Sequence, residues 1–271
     1  MNIKTIILTG FAAIGLTFVA AGTWSSPAQA QNVDEIVVKA NDAAYCQGKD
    51  GRGHVDMTIV DGQGRKRTRQ FTMIRLDEPT AKCGKQYYYV YFTRPADVNK
   101  TGFLVWKKPG KDDDRWLYLP ALDLVKRIGA ADKRTSFMGS HFLYEEISGR
   151  HIDADKHELV KTTDEYYVIK NTPKKPKEVK FSYYNIWVHK KTYLIVKNEF
   201  YNKSGKKYRE FKAEKVETIQ GYPTIMKQTM KDLQTGGYTT ISFRKVQYDI
   251  GLPKDIFSER YLRKPPKKHL R

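Results

Sequence analysis

Trp116-Leu-Tyr-Leu-Pro-Ala-Leu122, continuing through Val125-Lys-Arg-Ile128 to Ser136-Phe-Met-Gly-Ser140 and Tyr144-Glu-Glu-Ile147, changes character halfway along. Its first part is strand-like, with aromatic and aliphatic residues at every position of Trp116 to Leu119. Its second part, from 130 to 149, places Phe137, Met138, Phe142, Leu143, Tyr144 and Ile147 around Gly139 and leaves no room for a regular strand. That segment reads as a mobile flap or a short helix, with Gly139 as its hinge. A static buried plug is the alternative.

Outward from this stretch, turn signals recur between β-branched and aromatic runs. Asp61-Gly-Gln-Gly64, Pro109-Gly-Lys-Asp-Asp-Asp114, Asn202-Lys-Ser-Gly205 and Thr235-Gly-Gly237 each have hairpin chemistry. The runs between turns predict strands near 53–61, 65–76, 85–94, 101–108, 114–119, 122–128, 157–171, 178–189, 192–202, 206–219, 222–233 and 237–248. Short loops between them favour an antiparallel meander. From Asn32, the positions Val33, Ile36, Val37, Ala40 and Ala44 keep helical spacing, and Glu35 stands three residues beyond a capping Asn. A further helical turn is expected after Pro253, near Ile256 and Phe257.

A sheet buried on one face alternates apolar with polar residues. Tyr87 to Phe92, Phe103 to Trp106 and Trp116 to Leu119 do not. Such strands are covered on both sides, or line a cavity on one. A long antiparallel sheet curled into an open barrel meets the demand, and so does a fully packed two-layer core.

Lys4, the apolar run from Ile6 to Ala21 and Ala28-Gln-Ala30 have the form of a secretory signal peptide cleaved after Ala30. The expected layout is signal peptide 1–30, one domain over 31–262 and a basic tail over 263–271, in an exported, periplasmic protein. Cys46 and Cys83 are the only cysteines, and an oxidising compartment favours a disulfide between them over two buried thiols. The formal net charge is +19. Its clusters, Arg65-Lys-Arg67 with Arg69, Lys174-Lys-Pro-Lys177, Lys203-Ser-Gly-Lys-Lys207 and Arg263-Lys-Pro-Pro-Lys-Lys268, are scattered over turns and a tail. They form either a solvated face or a docking surface for anionic lipid or an acidic partner; nucleic acid is not expected in that compartment.

The opening stretch, with Ile186-Trp-Val188, Glu199-Phe-Tyr-Asn-Lys-Ser-Gly205, Gly221-Tyr-Pro223, Met230-Lys-Asp-Leu233, Thr235-Gly-Gly-Tyr-Thr-Thr240 and Ile256-Phe257, resembles the LolA-like family of periplasmic outer-membrane lipoprotein-sorting proteins. The resemblance covers nearly all of the chain beyond residue 30. It implies a mainly β fold: a single curved antiparallel sheet in a half-open barrel, an N-terminal helix, and a flap or short helices over the concave face. It also implies a cavity that takes up acyl chains of lipoproteins or lipids, and by analogy an inner-membrane exporter of the resistance-nodulation-division (RND) type as partner. Where family members commonly carry an acidic residue after Gly139-Ser140, this chain has His141. That departure removes any expected carboxylate role there and leaves a solvent-facing or pH-sensitive ring.

Alternation nominates the cavity wall: Val55, Met57 and Ile59, Phe71 and Met73, Leu104 and Trp106, Leu117 and Leu119, Met226 and Met230, Ile241 and Phe243, and Phe137, Met138 and Phe142 from the flap. Methionine suits a surface that accepts chains of variable shape. Ordinary core is the alternative for each of them. No nucleophile elbow, zinc-protease motif or phosphate-binding loop is present, so no catalytic residue and no cofactor is expected. His151, Asp153, Asp155 and His157 alternate, but strand rise spreads them over roughly 20 Å, too far for one metal ion. Asp112-Asp-Asp114 reads as a charged hairpin tip.

Overall fold

A computed structural model describes residues 32–78 and 83–271. The signal-peptide segment lies outside the described residues. Thirteen antiparallel strands form one sheet: β1 (Asp50–Val60), β2 (Lys66–Asp77), β3 (Gln86–Arg94), β4 (Gly102–Lys107), β5 (Asp114–Leu119), β6 (Leu124–Arg127), β7 (Asp155–Thr162), β8 (Tyr166–Pro173), β9 (Phe181–His189), β10 (Ile195–Asn202), β11 (Lys207–Ile219), β12 (Tyr222–Asp232) and β13 (Tyr238–Tyr248). The helices are α1 (Val33–Tyr45), α2 (Tyr144–Ser148) and α3 (Arg260–Arg263). No helix among the described residues is long and apolar enough to cross a membrane.

The spatial order is β6-β5-β4-β3-β2-β1-β13-β12-β11-β10-β9-β8-β7. Two meanders meet where β1 pairs with β13, and β6 and β7 are left as the edges of a curved, unclosed sheet. One expected strand, 157–171, is instead the hairpin β7–β8. Its turn has no glycine; the Thr163 side chain accepts from Tyr166 N at 2.9 Å and the Thr163 N–H donates to Tyr166 O at 2.9 Å. A Thr-built turn leaves a weaker sequence trace than Asn-Gly or Asp-Gly.

Both faces of β3–β5 are covered, which accounts for their unbroken apolar runs. On the inner face Tyr88, Val90, Phe92, Phe103, Val105 and Leu117 join Val55, Met57, Ile59 and Phe71. On the outer face Tyr87, Tyr89, Leu104 and Trp116 lie beneath Leu252, Ile256, Phe257, Leu262 and Leu270, contributed by the chain after β13. This C-terminal strap is held by hydrogen bonds from Trp106 Nε1 to Phe257 O (2.7 Å), Tyr89 Oη to Tyr261 O (2.8 Å) and Thr72 Oγ1 to Leu270 O (3.1 Å). Residues 263–271 are therefore basic but not a free tail: Leu270 is buried against the sheet.

The β6–β7 connection joins the two edges, so it has to cross the sheet's open side. It does so as a plug. Phe137 is fully buried, with ring centroids 5.8 Å from Phe92, 5.5 Å from Phe103 and 5.4 Å from Tyr144. Met138 and Gly139 take positive φ angles of 51° and 76°, which turn the chain back after Phe137. α1 begins at Asn32, whose side chain accepts from Asp34 N, and it buries Ile36, Val37 and Ala40 on Tyr167, Ile169, Ile186 and Val188 of β8 and β9. Cys46, at the C-cap of α1, is bonded to Cys83, 37 residues on.

Candidate functional site

Between the plug, the C-terminal end of α1 and the sheet lies a cavity of about 300 Å³. Strands from β2 and β3 through β1 and β13 to β10 all reach it, as only the concave face of a curved sheet allows. Its apolar wall is made by Phe71, Met73, Phe142, Ile147, Phe211, Ile225, Met230, Ile241, Phe243 and Val246, with Ala43 and Ala44 from α1.

Where the cavity meets β1, its wall is glycine backbone. Inward positions of β1 read Gly51, Gly53, Val55, Met57, Ile59 along the strand. The last three are almost completely buried and fill the barrel beside the plug, whereas the first two present bare backbone to the cavity. At Gly53 an added Cβ would meet the Phe243 ring at 3.2 Å and Val246 at 3.6 Å. Glycine weakens a strand, and a pair at alternate positions on one face is a signature of close approach or retained space.

Six of the nominated residues line this cavity: Phe71, Met73, Phe142, Met230, Ile241 and Phe243. Val55, Met57, Ile59, Leu117, Leu119, Phe137 and Met138 belong to the adjoining core. Leu104 and Trp106 point the other way, under the C-terminal strap, because β4 is apolar on both faces and alternation alone does not say which face is inner. Met226 is displaced by a bulge: Lys227 pairs with Lys215 and Ile225 with Val216, so Met226 has no partner and the alternation reverses there. Ile225 takes the cavity position that Met226 was expected to hold. Gly51, Gly53 and Ala43 also line the cavity; apolar alternation does not nominate them, and the Gly51-Arg-Gly53 spacing is the sequence signal for the two glycines.

The polar rim is largely committed. Arg75 donates to the carbonyls of Tyr45, Gln47 and Gly48, the last at 2.9 Å, and fixes the end of α1 to β2. Glu146 of α2 receives Arg209 Nη1 and Nη2 of β11, both at 2.6 Å, and Leu143 N at 2.9 Å. Burial, reinforced by Glu146 and Glu145, pushes the Tyr45 phenol up to about 12, so it is neutral at physiological pH. A second cavity of about 110 Å³ adjoins the first; Tyr45, Glu146, Ile195 and Asn198 line both.

Other nominated polar groups are dispersed. His151 Nε2 bonds Asp113 at 2.8 Å, His157 bonds Asn171 and Ile152 O, and Asp155 holds Arg150 and the Tyr184 hydroxyl. Asp113 is thus buried in an ion pair with Arg115 and is not part of a solvated tip. His141 is half-buried against Thr239 Oγ1 (2.8 Å), and desolvation lowers its pKa. Asp42, Cys46 and Cys83 bring metal-ligand atoms within 4.8 Å of one another, but both sulfurs are taken by the disulfide.

A family model described as an uncharacterized protein matches residues 84–264. Among solved structures, a DUF1329 family protein from Desulfovibrio piger is 30% identical, with a TM-score of 0.77 over 84% of this chain and 96% of that one. A putative outer membrane lipoprotein-sorting protein domain from Vibrio parahaemolyticus is 26% identical, with a TM-score of 0.76 over 86% of this chain and 100% of that one. A LolA superfamily protein from Nitrosomonas europaea shares the fold at 19% identity, with a TM-score of 0.63 over 84% and 98%. No curated protein matches.

Proposed function

This chain belongs to the DUF1329 family, and we propose that it is a periplasmic carrier that shelters the acyl chains of a lipoprotein or lipid in the concave cavity. The lipoprotein-sorting description of the Vibrio parahaemolyticus relative and the LolA-like architecture support the class. The observation that carries the reading is the apolar cavity bounded by Gly51 and Gly53. A methylene moved from water into such a space contributes about 0.8 kcal/mol, so ten of them supply roughly 8 kcal/mol before the costs of association. Binding of this kind needs shape and dryness only.

The rim agrees with carriage rather than reaction. Its one carboxylate, Glu146, is held by Arg209 and by Leu143 N, and the neighbouring Tyr45 is kept protonated by burial. An inner-membrane exporter of the RND type is the donor we assign by resemblance, with co-purification of the two as its test.

The direct test of carriage is lipid mass spectrometry on protein purified from its own periplasm without detergent. Stoichiometric acyl-bearing cargo is expected. Protein that comes away bare and also fails to bind added acyl probes would remove the carrier reading.

A further inference from the structure

The short turn between β5 and β6 presents apolar side chains to water. Leu122 is 70% exposed, more than any other large apolar side chain among the described residues, and Leu124, two positions on, is 45% exposed. Ala121 beside them is exposed as well. The turn has a fixed shape: Pro120 opens a single 3-10 turn over Pro120–Leu122, and Asp123, at a φ of 44°, closes it with its N–H on Pro120 O at 3.3 Å.

Cations flank this turn on both sides of the sheet. Val125 packs into the outer cluster beneath the strap, so Lys126, which alternates with it along β6, lies toward the concave side. On the outer side Arg263 of the strap donates to Asp123 Oδ1 at 3.0 Å and to Asp123 O at 3.1 Å, and Lys264 follows it, exposed. Asp123 is the one carboxylate within the turn, and Arg263 meets its charge. No ion pair among the described residues engages Lys126 or Lys264. The rest of the strap continues the pattern: Leu262 and Leu270 are buried against the sheet, while Arg260, Lys267 and Lys268 stay exposed on its free side.

Three apolar side chains on one turn offer little of the roughly 800 Å² that a stable protein interface buries on each side. A second copy of this chain would bring like charge against like charge. A bilayer requires neither a large area nor a matched shape. Leucines on a turn reach below the headgroups while lysine and arginine remain at headgroup level, drawn there by anionic lipid.

We propose that the β5–β6 turn, with Lys126, Arg263 and Lys264 around it, docks the protein on the surface of an anionic phospholipid bilayer. This inference is independent of what the cavity holds.

Cosedimentation with vesicles at low salt tests it, using phosphatidylcholine alone and phosphatidylcholine with a third of phosphatidylglycerol. Binding to the anionic vesicles is expected to be at least about tenfold tighter and to weaken as salt is raised. Leu122→Ser with Leu124→Ser should weaken it about tenfold, the effect of partly burying two leucines. Lys126→Glu with Lys264→Glu should weaken it by at least about thirtyfold, at about fivefold for each lysine near the surface. Lys49→Glu with Lys191→Glu changes the net charge equally at exposed positions on the opposite rim of the sheet, and should retain most of the binding. All three pairs are on the surface and should keep the wild-type melting temperature, which is the folding control. No binding to anionic vesicles, unchanged affinity in the leucine pair, or an equal loss in the Lys49 and Lys191 pair overturns the docking surface and leaves the carrier reading untouched.

Discussion

Ala43 projects from the last turn of α1 into the larger cavity, on the same helical face as the buried Ile36 and Ala40. Ala43→Leu adds three carbons to a wall and disturbs no hydrogen bond of its own side chain, and leucine is nearly as good a helix former as alanine. Each carbon placed in the cavity excludes about one methylene of cargo, and three of them, at about 0.8 kcal/mol each, weaken acyl binding by about 2.4 kcal/mol. That is roughly a fifty-fold rise in Kd. The same carbons leave water on folding, so the unliganded protein should gain stability while it loses affinity. Displacement of a fluorescent acyl probe reads the first effect, and a denaturant midpoint without ligand reads the second. A stepwise series, Ala43→Val and then Ala43→Leu, should trade one against the other in proportion to added volume. Unchanged affinity in a stabilised Ala43→Leu protein would show that acyl chains bind elsewhere, and the argument from the cavity would fail.

Other consequences follow from the buried charges and ties. Burial lowers the Lys107 ammonium to about 8, against the partial opposition of Asp113. The unfolded chain therefore holds that proton more firmly between about pH 8 and 10.5, and stability should rise through that window by up to about 3 kcal/mol relative to Lys107→Met; parallel pH–stability profiles for the two proteins would refute it. Reducing Cys46–Cys83 opens a 37-residue loop, and loop entropy sets the loss of stability at about 4 kcal/mol, read from urea midpoints with and without reductant. Leu262 of the strap is fully buried, and Leu262→Ala should cost about 2–5 kcal/mol with little effect on acyl affinity, because the strap covers the face opposite the cavity. A comparable fall in affinity at constant temperature would place the strap in the binding site.

Strand positions were legible where two signals agreed. β1 and β2 alternate along the strand, Gly-containing turns join β1 to β2 and β12 to β13, and the predicted limits of these four strands differ from the observed ones by three residues at most. Where one signal is silent, the strand limits or side-chain directions are not legible. Thr163-Asp-Glu165 turns the chain through side-chain hydrogen bonding with no glycine, so 157–171 reads as one strand in the sequence although it is two in the fold. At Met226 the residue type was right for a cavity, but a bulge, a matter of pairing with β11, decides which way it points. Leu104 and Trp106 show a different limit. In a strand apolar on both faces, periodicity separates two sets of side chains and does not say which set faces inward. That information sits some 150 residues away, in the Leu252 to Leu270 strap that covers the outer set.

The division between core and cavity follows a rule that large apolar residues cannot reveal by themselves. Phe92 and Phe103 of the first meander pack ring against ring with Phe137 and Tyr144 of the plug, so this end of the half-barrel is filled. Interiors pack to the density of organic crystals, and a cavity of about 300 Å³ stands out against that end. Gly51 and Gly53 form one part of the cavity wall, with Phe243, Val246 and Tyr248 of β13 packed close beside them, and Ala43 and Ala44 of α1 form another. α1 meets the sheet elsewhere through Ile36, Val37 and Ala40, which hold the helix at its distance over β8 and β9. The aromatic residues fill one part of the half-barrel, and the cavity adjoins the end of α1.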